Sequence, residues 1–145
     1  MADYSKIAQL LYRYCAAHDS RNLEMLSSCF AADVELLGAK GRDEVVDRYR
    51  TGYQHLEFQR RHSLTNIFIV EDGEDRALVQ SYITLYLIKE GKLETHLTGV
   101  YRDTVIREDG EWRILSREAT MDVEYNPGDA KAAIAATYQP SAAPA

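Results

Sequence analysis

The sequence predicts an α+β fold in which three helices come first and a long antiparallel sheet follows. Two observations carry this. Up to Tyr53 the apolar residues recur three and four apart, the spacing of one helix face; beyond Ser63 the chain turns to runs rich in Ile, Val, Thr and Tyr, each broken by a glycine beside charged residues. Helices then strands is the α+β order, so the three helices are expected to pack on the concave face of one strongly curved sheet, enclosing a cone. A chain of 145 residues has the length of one such domain with a single core.

Each element has its own local reason. From Ser5 to Ala17, Ile7, Leu10, Leu11, Tyr14 and Ala17 line one face of a first helix, with Asp3 or Ser5 as its cap. The run His18-Asp19-Ser20-Arg21-Asn22 has turn chemistry. Leu23, Leu26 and Phe30 then mark a short second helix capped by Asn22 or Ser20. Asp33 to Leu37 reads as a short strand, Gly38 and Gly41 as a turn, and Val45, Val46, Tyr49 and Tyr53 as the buried stripe of a third helix over Arg42 to Tyr53. Ser63 to Val70, Ala77 to Lys89, Leu93 to Arg107 and Glu111 to Met121 are predicted strands, and the short breaks between them imply a meander. The domain is expected to span residues 1–126. Residues 127–145 are expected to hold a short Ala-rich helical stretch and then a disordered PSAAPA tail.

Composition excludes several function classes. The net charge of −6 is spread along the chain and no basic block could follow a row of phosphates, so nucleic acid is not an expected partner. An apolar share of 46% with 28% charged residues is that of a soluble globular chain; no apolar run reaches membrane-spanning length, and the N-terminus lacks the order of a signal peptide. A cytoplasmic location is expected, with no membrane partner. Cys15 and Cys29 lack ligand spacing and are expected to be small buried apolar groups, not a disulfide. No metal-binding spacing, P-loop, GxSxG or dinucleotide fingerprint occurs, so neither metal nor cofactor is expected.

The cone is the natural place for a ligand, and strand parity suggests its lining. With hairpin turns centred near Gly73 and Gly91, His62 falls beside Thr84 and Thr84 beside Thr98, with His96 one pair along and Tyr82 and Tyr86 on the same face. Tyr49 and Tyr53 would contribute from the third helix. Such a lining suits a hydrophobic, oxygenated small molecule. Tyr14 lies on the first helix's apolar stripe and Asp19 five residues on, where both could reach the same cavity. An aspartate that accepts a hydrogen bond from one imidazole nitrogen fixes the tautomer and leaves the other nitrogen as a base. Asp19 with His62 would be such a pair.

The strings LLYRYCAAHDSRNLEMLSSCFAADVEL, GRDEVVDRY, RRHSLTN and VYRDTVIREDGEWRILSREATMD, together spanning about Ile7 to Asp122, resemble the SnoaL-like group of the nuclear transport factor 2 superfamily. Within it the chain looks most similar to the branch of scytalone dehydratase, bile acid 7α-dehydratase and hexachlorocyclohexane dehydrochlorinase. The resemblance implies a cystatin-like, cone-shaped α+β barrel. It also implies a cofactor-free lyase whose acid-base dyad falls on Asp19 and His62. Tyr14 matches the tyrosine of the bile acid enzymes, where the dehydrochlorinase has lysine. His96 is the candidate for the second histidine of scytalone dehydratase. The implied chemistry is loss of water from a polycyclic or aromatic-like hydroxy-carbonyl compound: His62 takes the proton next to the carbonyl, Asp19 holds the imidazolium, and Tyr14 donates to an oxygen.

Other residues have plainer expectations. His18 is expected to be a solvated helix end and His55 a surface residue; Trp112 should anchor the last strand, while Arg102, Asp103, Arg113, Arg117 and Glu118 should form solvated or interfacial ion pairs. The segment from Thr95 to Asp122 also resembles the β subunit of aromatic ring-hydroxylating dioxygenases, a partner without catalysis, in which His62 would only pack. A ligand-binding module without turnover, a ketosteroid isomerase or a polyketide cyclase would use the same cone. The apolar convex sheet face suggests a homodimer or homotrimer.

Overall fold

The computed structural model describes residues 1–122, so the expected helical stretch and tail beyond Pro127 lie outside the described residues. Helix α1 spans Tyr4–Ser20, α2 Leu23–Ser28 and α3 Arg42–Tyr53. The strands are β1 Phe30–Leu36, β2 Ala39–Lys40, β3 Gln59–Glu71, β4 Arg76–Lys89, β5 Lys92–Glu108 and β6 Glu111–Met121. They form one sheet in the order β2-β1-β6-β5-β4-β3. The α+β class and its helical layer are as the sequence predicts. Two details differ: the sheet does not close, since β2 and β3 are its edges, and it is mixed, because β1 runs parallel to β6. The chain from β1 to β6 runs through β2, α3 and the β3–β5 meander, a connection long enough for the two strands to pair in parallel.

Local chemistry sets the helix ends. The Asp3 carboxylate accepts from the Lys6 backbone N–H at 3.2 Å, and the Asn22 side chain accepts from Met25 N–H at 3.0 Å, so both starts are capped as expected. Helix α1 runs three residues beyond the predicted end and stops where Arg21 takes the left-handed conformation, φ 57°. The β4–β5 and β5–β6 hairpins turn through Glu90-Gly91 and Asp109-Gly110, all four at positive φ. Two consecutive left-handed residues match the right-handed strand twist, and glycine supplies the second at no steric cost.

The core lies between the helices and one sheet face. Ile7, Leu11, Leu26, Phe30, Val45, Ile83, Leu85, Val105 and Ile114 are fully enclosed there, with Trp112 nearly so. Along β4, Ala77, Val79, Ser81, Ile83, Leu85 and Leu87 are buried, while Leu78, Gln80, Tyr82, Thr84, Tyr86 and Ile88 take the other face. This strict alternation separates the helix-covered face from the convex one. Among the described residues no helix is long and apolar enough to cross a membrane.

Candidate active site

Asp19 lies in the last turn of α1, and β3 passes alongside it. The Asp19 carboxylate grips His62 twice. Its Oδ2 accepts the His62 backbone N–H at 2.9 Å, and its Oδ1 lies 2.5 Å from ring Nδ1. The backbone bond fixes the strand relative to the helix, and the ring bond assigns the proton to Nδ1, making Nε2 the nitrogen with the basic lone pair. The imidazole is closed off from solvent. Burial pushes its pKa below that of an ordinary histidine; Asp19 pulls upward only part of the way, and the positive charges of Arg60 and Arg117 add to the downward shift.

His18 corrects the expectation of a solvated helix end. It is fully buried, and its ring packs against His62 in a tilted arrangement, with centroids 4.6 Å apart and an interplanar angle of 35°. Its Nδ1 lies 2.6 Å from the Tyr53 hydroxyl. The cause is the added turn of α1: position 18 is four beyond Tyr14, so it continues the stripe that begins at Ile7. Burial, then Arg60, His62 and Arg117, hold its pKa well below the usual value.

Next to the two imidazoles lies a cavity of about 510 Å³, lined by Tyr14, Tyr49, Tyr101, Arg117, Ala119 and the β1–β2 hairpin from Glu35 to Lys40. Opposite that hairpin, with its Glu35 and Lys40, the wall holds three tyrosines and the Arg117 guanidinium. Tyr14 and Tyr49 share a hydroxyl-to-hydroxyl hydrogen bond of 3.0 Å. The Arg117 guanidinium sits over the Tyr14 ring at 4.2 Å and over Tyr101 at 3.9 Å. It also donates from Nε and Nη2 to the two Asp103 oxygens, at 2.6 and 3.0 Å. The sequence predicts a solvated or interfacial ion pair for Arg117 and Asp103; the pair forms, but inside the protein, with Asp103 fully buried and the Arg117 side chain 5% exposed. Burial alone would lower the Arg117 pKa, but Asp103 more than offsets it and the guanidinium stays charged. Its Nη1 is buried without a hydrogen-bond partner among the described residues.

The predicted site thus assembles in part. Asp19 and His62 meet, Tyr14 and Tyr49 line the cavity, and Tyr53 stands behind it, against His18 and Tyr49. His62 is not itself a lining residue; His18 spans the gap, with its ring 5.7 Å from Tyr14 and 5.0 Å from Tyr49. Tyr82, Thr84, Tyr86, Thr98 and His96 are not brought there. Strand β3 pairs Ser63 with Thr84 and His62 with Leu85, one residue from the predicted register, and one residue exchanges the faces. The expected Thr84–Thr98 pair does form, but on the convex side. His96 falls at a register shift between Leu85↔Leu97 and Tyr86↔Thr95, two strands from His62. Burial lowers its pKa, against the opposing charge of Glu94. Cys15 and Cys29 are buried as expected, and burial pushes their thiols up to about 12 and about 11.

The fold and site can now be set beside known proteins. No curated protein matches the sequence. A variant of Rv3472, a protein of unknown function from Mycobacterium tuberculosis, superposes with a TM-score of 0.74 at 28% identity, over 90% of this chain and 82% of that one. A Novosphingobium aromaticivorans protein provisionally named scytalone dehydratase gives 0.70 at 28% identity, over 82% and 83%. A cystatin-like protein of unknown function from Nostoc punctiforme gives 0.73 at 25% identity, over 85% and 93%. Residues 1–118 match the model of the SnoaL-like domain from the first helix into the last strand, and with the three-helix, curved-sheet architecture this places the chain in the SnoaL-like family.

Proposed function

We propose that the protein is a cofactor-independent lyase, a dehydratase that removes water from a polycyclic or aromatic-like hydroxy-carbonyl compound. The observation that carries the reading is the double grip of Asp19 on His62, through Oδ2 to the backbone N–H at 2.9 Å and Oδ1 to Nδ1 at 2.5 Å. Breaking a C–H bond next to a carbonyl calls for a neutral base held in one tautomer and for donors to the oxygen that gains charge. Burial keeps His62 neutral, and Arg117 and Tyr14 supply donors on the cavity wall. That SnoaL-like proteins include dehydratases, cyclases and isomerases, and the provisional name of the Novosphingobium relative, support the reading.

In this mechanism Nε2 of His62 takes the proton α to the carbonyl, and the electron pair of the C–H bond moves into the enolate. Arg117 Nη1–H and the Tyr14 hydroxyl donate to the enolate oxygen, while Asp19 stabilises the imidazolium. The enolate then expels the β-hydroxyl, which takes the proton back from His62 and leaves as water. The double bond is formed and the imidazole is restored. Since the imidazole is enclosed, substrate entry must open the site, which also strips the reacting atoms of water. A panel of β-hydroxy ketones on fused or aromatic rings tests this. Wild type should convert a member to the enone, and His62→Gln should be slower by about 10² to 10⁴-fold, the range for a lost general base. Equal rates would remove His62 from the chemistry.

A further inference from the structure

Asp19 raises a difficulty for the base it holds. A carboxylate on Nδ1 favours the imidazolium, and a histidine that already carries a proton cannot take one from carbon. The opposing charge lies on the other side of His18. Arg60, two residues before His62 on the same face of β3, is 2% exposed. Its Nη2 lies 3.4 Å from both ring nitrogens of His18. A donor in the ring plane meets one nitrogen squarely; equal distances to both put the guanidinium over the ring face. There it attracts a neutral imidazole and repels a protonated one. His18 in turn lies against His62, the two rings tilted by 35° with centroids 4.6 Å apart.

The charged and titratable groups around the pair are few. Helix α1 presents Asp19, His18 and Tyr14, α3 presents Tyr49 and Tyr53, β3 presents Arg60, and β6 presents Arg117. The charge of Arg117 is matched by Asp103 on β5 through two hydrogen bonds. With both imidazoles neutral, Arg60 therefore balances Asp19, and any added proton leaves the enclosed cluster with an excess positive charge. We propose that Arg60, with His18 as its spacer, is a positioning residue whose fixed charge counteracts Asp19 and keeps the His62 ring unprotonated until substrate delivers the proton. The downward displacement of both histidine pKa values, with burial first and Arg60 among the causes, agrees with this. The catalytic meaning of the arrangement rests on His62 being the base; the charge balance does not.

Ring ¹⁵N NMR titration of the full chain tests it, with the His62 and His18 signals assigned from His62→Gln and His18→Phe. In the wild type, His18 should stay neutral from about pH 8 down to about pH 5, through the range where an ordinary histidine gains its proton. Arg60→Met should raise the His62 midpoint by about one pH unit, and Arg60→Lys, which keeps the charge, should reverse most of that rise. A folded Arg60→Met protein with an unmoved His62 midpoint overturns the proposal. If Arg60→Met does not fold, the wild type still decides: a His18 that titrates in the ordinary histidine range would overturn it. Turnover is a separate readout. A shifted midpoint in a protein that converts no hydroxy ketone would keep the control of His62 by Arg60 and retire the dehydratase reading.

Discussion

At the scale of single residues, the site is a set of buried charges, each useful only while its partner is present. Asp19 must accept two hydrogen bonds, one from the His62 backbone N–H and one from the ring. In Asp19→Asn only the amide oxygen can accept, and the amide nitrogen faces a donor. Either the strand contact or the Nδ1 tautomer is lost. With folding retained, turnover should fall by about 10² or more, by analogy with tautomer loss in catalytic triads; unaltered kinetics would reduce Asp19 to a structural clamp. Arg117 is bound more tightly to the fold, since Arg117→Met strands a fully buried Asp103 carboxylate. Breaking one half of a buried pair costs about 3–5 kcal/mol, whereas replacing both halves with apolar groups is often neutral. Urea unfolding should therefore show Arg117→Met strongly destabilised and Arg117→Met with Asp103→Leu largely recovered, yet without turnover, because the donor on the cavity wall is still missing. Equal stability of the single and double variants would contradict this.

At the scale of elements, the register of β3 decides which side chains see the cavity. Because Ser63 pairs with Thr84, substitutions at Thr84, Tyr82 or Tyr86 fall on the face away from the helices. Thr84→Val and Tyr86→Phe should leave the rate on a hydroxy ketone within about twofold, the usual scale for surface changes remote from a site. A tenfold loss in either would mean that the convex face takes part. The slip was not legible in the sequence. Next to the turn Glu71 pairs with Leu78, which centres the hairpin between Glu74 and Asp75 and not on Gly73; two shifts within β3, between Ile69 and Glu71 and between Thr65 and Phe68, where Asn66 is left-handed at φ 53°, then bring the pairing back to one residue from the predicted register. A turn centred on a glycine cannot reveal bulges within the strand. The β4–β5 hairpin was legible, and Thr84–Thr98 paired as a turn at Gly91 implied, the single register shift at His96 carrying the pairing onto that register. His18 was also within reach: spacing of three and four from Ile7 through Leu11 and Tyr14 arrives at 18, but its position among polar turn residues suggested that the helix had ended. Asp103 and Arg117 carried no such signal. Polar residues in a strand ordinarily face water, and only the pairing of the two across β5 and β6 makes their burial possible.

At the scale of the whole molecule, two imidazoles buried neutral give stability a dependence on pH that can be predicted in sign. His18 and His62 both have folded pKa values below the ordinary 6.5. Between that value and the folded ones the unfolded chain binds more protons than the native chain, so stability falls as pH drops. Each ring contributes at most about 1.4 kcal/mol per pH unit in that window, against a total stability of about 5–15 kcal/mol for a domain. The general charge effect runs the other way: a chain of net charge −6 at pH 7 becomes less negative on acidification, and its self-repulsion weakens. A loss of stability between about pH 6.5 and about pH 5.5, above the range where ordinary carboxylates titrate, must therefore come from histidines held below their ordinary pKa, the enclosed His18 and His62 first and the half-buried His96 with them. Denaturant midpoints in low and moderate salt should fall across this interval in the wild type. In His18→Phe, which keeps a flat ring against His62 but removes one titrating group, the slope should be clearly shallower. A wild-type midpoint that stays level or rises would mean that the rings reach solvent or gain protons in the folded state, and a neutral, enclosed His62 could not then be the resting form of the base.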